Sequence, residues 1–328
     1  MVTMFLKSML FPLIFALALA PRSQGVGQSE SQSQTQPSLA TTFNEIKYHG
    51  GPLLTKPNSI NIYLIWYGAF SRNDRSSITD FFASFNPSKG LVLHQEPTVA
   101  TWWKSIQTYK DKSGNSVSSS VKLLKQIGDI YSLGKNIKRA QIANYVKHKI
   151  ETKVLPSDSN GIYLVLTSRD VIVERFCMGS CGFHDNIVVS TKRTRLVYAH
   201  IGNPLVQCPG LCAWPYSLPA YGPPGQQALV APNGVGADGM VMNIATIIAG
   251  ATTNPFKNGY FQGDPLAPLE AVTACPGIFG EGAYSGYPGN LMVDKISKAN
   301  YNAYGAYGRK FLLPAIWELT TSKCKVIH

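Results

Sequence analysis

The chain has 328 residues, of which 45% are hydrophobic, with a formal net charge of +12 and six cysteines. That length can bury a substantial core as one large domain or two small ones. Past the first residues, no apolar run reaches the roughly 20 residues a bilayer span needs, so no membrane-spanning helix is expected in the folded part.

Residues 1–25 read as a secretion signal, with Lys7 as the positive start, an apolar run over 9–20 and the small-x-small pattern Ala18-Leu19-Ala20. Pro21 obstructs a cut directly after Ala20, which places cleavage between 20 and 27. Residues 26–44 are rich in Ser and Gln and poor in large apolar side chains, the composition of a flexible arm. Residues 45–328 then form the folded domain.

Within it, Ile60 to Tyr67 is dense in β-branched and aromatic residues and stops at Gly68, a buried strand. Residues 74–85 read as a helix with Asp74 as N-cap, and Pro97 at a first helical turn introduces a helix over 98–109. Ser113-Gly-Asn115 suggests a hairpin turn. Between 104 and 153, eleven Lys/Arg face three acidic residues, a local excess of +8. Lys122, Lys125, Lys138, Arg139 and Lys147 are the candidate contacts to a polyanion. Export argues against nucleic acid and for an acidic polysaccharide; a solvated surface is the plain alternative.

Residues 136–150 carry Ile142, Ala143, Val146 and Ile150 on one helical face. A second buried strand follows at 161–167 and a third at 187–189. Strands alternating with helices give the α/β class: one domain with a central mixed sheet flanked by helices and stapled by disulfides. Residues 202–232 and 255–287 are Pro- and Gly-rich, and read as loops that need covalent ties or carry function. Connectivity does not follow from spacing alone. The expectation sets Cys177 and Cys181 against Cys208 and Cys212 in either order, and Cys275 against Cys324.

The helix over 237–251 is apolar almost all round, except for a stripe of Asn243, Thr246, Gly250 and Thr253. Zinc proteases place two histidines at i and i+4 of one helical face with a glutamate after the first. Thr246, Ile247 and Gly250 stand at those ligand, base and ligand positions. None of the three can bind zinc or move a proton there, so the expectation is a zincin-like scaffold without its metal site. A helix packing a small face against a sheet is the simpler reading. Neither a metal nor any other cofactor is expected.

Several segments resemble the plant EXORDIUM-like, or phosphate-induced, protein family. They include Gly50-Gly-Pro-Leu-Leu54, Tyr131-Ser-Leu-Gly134, Cys181-Gly-Phe-His-Asp185 and Tyr198-Ala-His-Ile-Gly-Asn-Pro204. Cys208-Pro-Gly-Leu-Cys-Ala-Trp214, Gly259-Tyr-Phe-Gln-Gly-Asp264 and Ala283-Tyr-Ser-Gly-Tyr-Pro-Gly289 continue the match in order. The resemblance implies a secreted apoplast or cell-wall protein tied to growth and brassinosteroid response. It brings no established catalytic residues.

No complete catalytic constellation stands in the sequence. His184, Asp185 and His200 lie between the cysteine pairs and are candidate ligand contacts, although structural histidines are commoner. Asp238, Asp264 and Glu281 are candidates for a paired-carboxylate hydrolase. Trp214, Tyr284 and Tyr287 offer flat faces to a sugar ring. Tyr301, Tyr304 and Tyr307 recur every third residue, as on a packed helical face. The leading reading is a non-catalytic regulatory protein of the wall space, held by acidic polysaccharide or an extracellular receptor. A lectin-like module ranks second and a wall-active hydrolase third.

Overall fold

The computed structural model describes residues 45–56, 59–86, 95–189, 194–220 and 225–327. The secretion signal and the Ser/Gln-rich arm lie outside the described residues. Eight elements frame the fold: β1 (Ile60–Tyr67), α1 (Arg72–Ala83), α2 (Val99–Lys104), β2 (Val121–Asp129), α3 (Arg139–Glu151), β3 (Gly161–Thr167), β4 (Gly182–Val189) and β5 (Thr194–Gly202). A ninth, α4 (Val235–Thr253), follows a long irregular stretch.

The sheet runs β2-β1-β3-β5-β4. Four strands are parallel, and β4 runs antiparallel to β5 at the edge. Both β1 and β3 are covered on both faces, which is why they read as unbroken apolar runs. Their period-two alternation sorts the core. Ile62, Leu64 and Trp66 face α1, α2 and α4, together with Ile162, Leu164 and Ala199. Tyr63, Ile65 and Tyr67 face α3, where Ile142, Val146 and Ile150 line up at helical spacing. Each such buried side chain stabilises the fold by roughly 1.5–3 kcal/mol.

Local chemistry moved some boundaries. In α1 the N-cap is Ser71, not Asp74: Ser71 Oγ accepts from the Asp74 amide at 3.0 Å, and Asp74 accepts back from the Ser71 amide at 3.2 Å. Aspartate thus sits at the third helical position of a capping box. Thr98 caps α2, which ends at Lys104 and tightens into a short turn over Ser105–Thr108. Ser113 and Asn115 donate their amides to Asp111 Oδ1, closing a small loop beside the bridge between Lys110 and Ser116. The next strand, β2, pairs parallel with β1, so no extended hairpin forms. Tyr301 and Tyr304 sit in two-residue strands, Asn300–Tyr301 and Ala303–Tyr304, and not on a helix.

Helix α4 is the one described helix apolar and long enough to cross a membrane, and its side chains are mostly buried in the domain core. Three disulfides tie down the irregular segments: Cys177–Cys208, Cys181–Cys212 and Cys275–Cys324. The first two close parallel ties between the loop before β4 and the one-turn helix Pro209–Cys212.

Candidate functional site

A cleft of about 710 Å³ opens between the edge strand β4, helix α4 and the loop after it. The alternation of β4 decides which side chains reach which wall. Phe183 pairs across from His200 on the α3 side, so His184, one residue on, turns toward α4.

There His184 Nε2 donates to both oxygens of Glu270, at 3.0 and 2.9 Å. Asn254 Nδ2 also donates to Glu270 Oε1, at 2.7 Å. The His184 and Glu270 side chains are only 7% and 8% exposed. Burial alone would push the imidazole down, but the adjacent Glu270 carboxylate outweighs it and holds His184 above its ordinary value. Nδ1 of the same ring is buried without a hydrogen-bond partner. Further along the strand, Asp185 pairs with Lys257 at 2.9 Å.

Gly250 explains how the pair fits. A Cβ at this position would overlap Glu270 Oε2, and would lie 3.1 Å from Glu270 Cδ and 3.3 Å from His184 Nε2. The carboxylate therefore occupies the space a side chain at Gly250 would take. One turn earlier, Thr246 and Ile247 line the same cleft. Thr246 Oγ1 donates to the Met242 carbonyl at 2.9 Å, so its proton is committed to the helix. Among the described residues no cluster of three or more His, Cys, Asp or Glu side chains comes together as a metal site.

The other sequence candidates separate. His200 is buried on the α3 side, shares a 2.9 Å hydrogen bond with Thr167 Oγ1 and does not line the cleft. Burial, and then the charge of Arg139, push it down to about 3. It stays neutral and cannot act with His184. Asp238 is buried at the start of α4, where Asn233 donates to both its oxygens at 2.7 and 2.8 Å. Burial pushes it up to about 7, against the pull of those bonds. Asp264 and Glu281 are exposed, on separate loops, and neither lines the cleft.

Trp214 stands at a junction. It lines the cleft and also a second groove of about 510 Å³ with Tyr284, Tyr287, Gln226 and Asn290. Tyr284 and Tyr287 exchange backbone hydrogen bonds at 3.0 and 2.8 Å across a tight turn. Gly286, at φ +88°, supplies the left-handed position that turn needs. The rings sit 5.1 Å apart.

The basic segment disperses. Lys122 lines a shallow pocket shared with Thr79 and Phe82 of α1, whereas Lys125 donates to the Val154 carbonyl just past α3. Lys147 lies 3.9 Å from Glu151, and Lys138 is exposed at the N-cap of α3. Arg139 stacks its guanidinium 4.2 Å over Phe183 and faces the cleft. Sequence reasoning missed Glu270, Lys257 and Arg175. The available signal for Glu270 was a single acid inside Leu266-Ala-Pro-Leu-Glu-Ala-Val272, where burial demands a cationic partner.

These features define a disulfide-stapled α/β domain with a buried apolar helix flooring a cleft closed by a His–Glu pair. A family model, the phosphate-induced protein 1 conserved region, matches residues 46–327. The chain is 45% identical to Protein EXORDIUM of Arabidopsis thaliana over 328 residues, covering 97% of this chain and 99% of that protein. It is 46% identical to Protein EXORDIUM-like 2 of the same plant over 86% of this chain and 89% of the relative. With Protein PHOSPHATE-INDUCED 1 of Nicotiana tabacum it shares 44% identity, over 86% of this chain and 88% of the relative. The chain belongs to the EXORDIUM and phosphate-induced protein family. No solved structure matches it.

Proposed function

We propose that this protein is exported to the plant wall space and acts in growth control by binding a ligand in the cleft, without turning it over. The observation that carries the reading is the arrangement around Gly250. The helix presents Thr246, Ile247 and glycine where a hydrolase would place ligands and base, and Glu270 is held by His184 and Asn254. A general base must be free to accept a proton from the reacting group, and this carboxylate is already committed. Three disulfides fit an oxidising compartment, and the relatives' names fit a plant protein of this family.

The test is incubation of the purified oxidised protein with pectin, neutral wall glycans and peptides, with product analysis beside a retention assay. Retention without new reducing ends or cleaved peptides is the expected result. Turnover that disappears in Glu270→Gln would refute the reading. Recovery of a tagged chain from the wall-space fluid checks the location.

A further inference from the structure

We propose that the cleft and the adjoining aromatic groove together bind an oligosaccharide bearing uronate carboxylates, with Arg139 and Arg175 gripping a carboxylate and Trp214, Tyr284 and Tyr287 stacking on the rings. This assignment rests on the binding reading above and specifies its ligand.

Both acids that line the cleft are already paired, Asp185 with Lys257 and Glu270 with His184, each at 2.9 Å. Arg139 and Arg175 line the same cleft, and among the described residues neither guanidinium makes an ion pair with a carboxylate. Arg139 Nε donates to the Glu174 carbonyl at 3.3 Å, and the Glu174 carboxylate accepts from the Arg139 backbone amide at 3.0 Å and not from its guanidinium. Burial, and then the charge of Arg175, hold Arg139 below its ordinary value, against the pull of Glu174 and Asp185. Two planar guanidinium groups facing a cleft, neither within ion-pair distance of a carboxylate among the described residues, suit a ligand carboxylate, which accepts two parallel hydrogen bonds from such a fork.

The loop carrying Arg175 is built to hold one shape. Arg175 and Cys177 adopt φ of +64° and +67°, in the left-handed region that side chains disfavour. Such backbone persists where its surroundings over-determine it, and the Cys177–Cys208 link anchors this loop. His184, which lines the cleft, carries an Nδ1 that is buried without a hydrogen-bond partner.

The aromatic row then distinguishes a saccharide from an acidic peptide. Trp214 is a wall shared by both cavities. Beyond it, Tyr284 is 70% exposed; the turn pins its backbone, and its ring lies 5.1 Å from that of Tyr287. An exposed, positioned aromatic face suits the apolar C–H face of a sugar ring, and the Gln226 and Asn290 amides line the same groove as partners for hydroxyls. An acidic peptide would satisfy the arginines but would leave this row unused.

Isothermal titration of the oxidised protein with a size-defined oligogalacturonate tests the proposal. Its fully methyl-esterified form and a polyglutamate of matched charge serve as the other arms. Oligogalacturonate is expected to bind, and esterification to weaken it at least tenfold. Arg175→Gln should cost about tenfold, as loss of a charge-assisted contact does, and Arg175→Lys should recover part of it. Tyr284→Ala should weaken binding severalfold. Arg175 and Tyr284 are exposed, so circular dichroism should show both variants folded. Polyglutamate binding as tightly, with no loss in Tyr284→Ala, would make the ligand an acidic peptide and overturn the proposal. Equal affinity for the esterified chain, or no saccharide binding at all, would overturn it while leaving the non-catalytic reading standing. Turnover of the chain would instead sink the earlier reading and leave the ligand assignment intact.

Discussion

Gly250→Ala gives a test whose sign is diagnostic. In a helix interior, replacing glycine with alanine ordinarily stabilises by about 1 kcal/mol. Here the added methyl would overlap Glu270 Oε2, with Glu270 Cδ at 3.1 Å and His184 Nε2 at 3.3 Å. The backbone of α4 is enclosed by the core and cannot retreat, so the carboxylate must leave. Its departure breaks the contacts with His184 and Asn254. Breaking a buried ion pair costs about 3–5 kcal/mol, so the net change is a loss of roughly 2–4 kcal/mol. Urea titration followed by circular dichroism, on protein with its disulfides intact, reads this as a lowered midpoint. The second arm repeats the substitution in a Glu270→Ala background. With no carboxylate to displace, alanine should then stabilise by about 1 kcal/mol, and the sign reverses. A Gly250→Ala protein as stable as the parent, or the same cost in both backgrounds, would refute the claim that Glu270 fills the space beside this glycine.

Two further outcomes follow from the described geometry. Because Glu270 raises His184 in the folded state, the pair's contribution is complete below about pH 6.5 and is lost as pH rises through the raised value. Urea midpoints should therefore fall on the alkaline side in the parent, and Glu270→Gln should remove that slope. Cys275 and Cys324 close a separation of 49 residues and hold the hairpin of strands Ile316–Glu318 and Lys323–Lys325 to the loop after α4. Replacing both with serine should cost about 2–4 kcal/mol in the same titration, and an unchanged midpoint would show that the hairpin docks without the link.

How much of this was legible in the sequence depends on the range of the interaction concerned. β1 and β3 were readable as short unbroken runs of β-branched and aromatic residues, and α3 because its apolar face repeats every 3.6 residues. β2 was not, because Lys122, Lys125 and Gln126 interrupt its apolar pattern at a solvent-facing edge. The capping box at Ser71 was missed by placing Asp74 at the cap, since a third-position acid and a cap look alike until the backbone direction is known.

The site follows the same division. Thr246, Ile247 and Gly250 could be placed on one helical face from spacing alone. What fills the space beside them is a glutamate 20 residues further on and a histidine from another strand, and no local pattern joins those two. The parity of β4 also decided something the sequence left open. His184 and His200 stand in neighbouring strands, yet His200 faces Phe183 across the pair and His184 is the next residue along. Adjacent residues of a strand point to opposite faces, so one histidine turns to the cleft and the other into the core. Their opposite titration, one raised and one pushed down to about 3, comes from that single step in register.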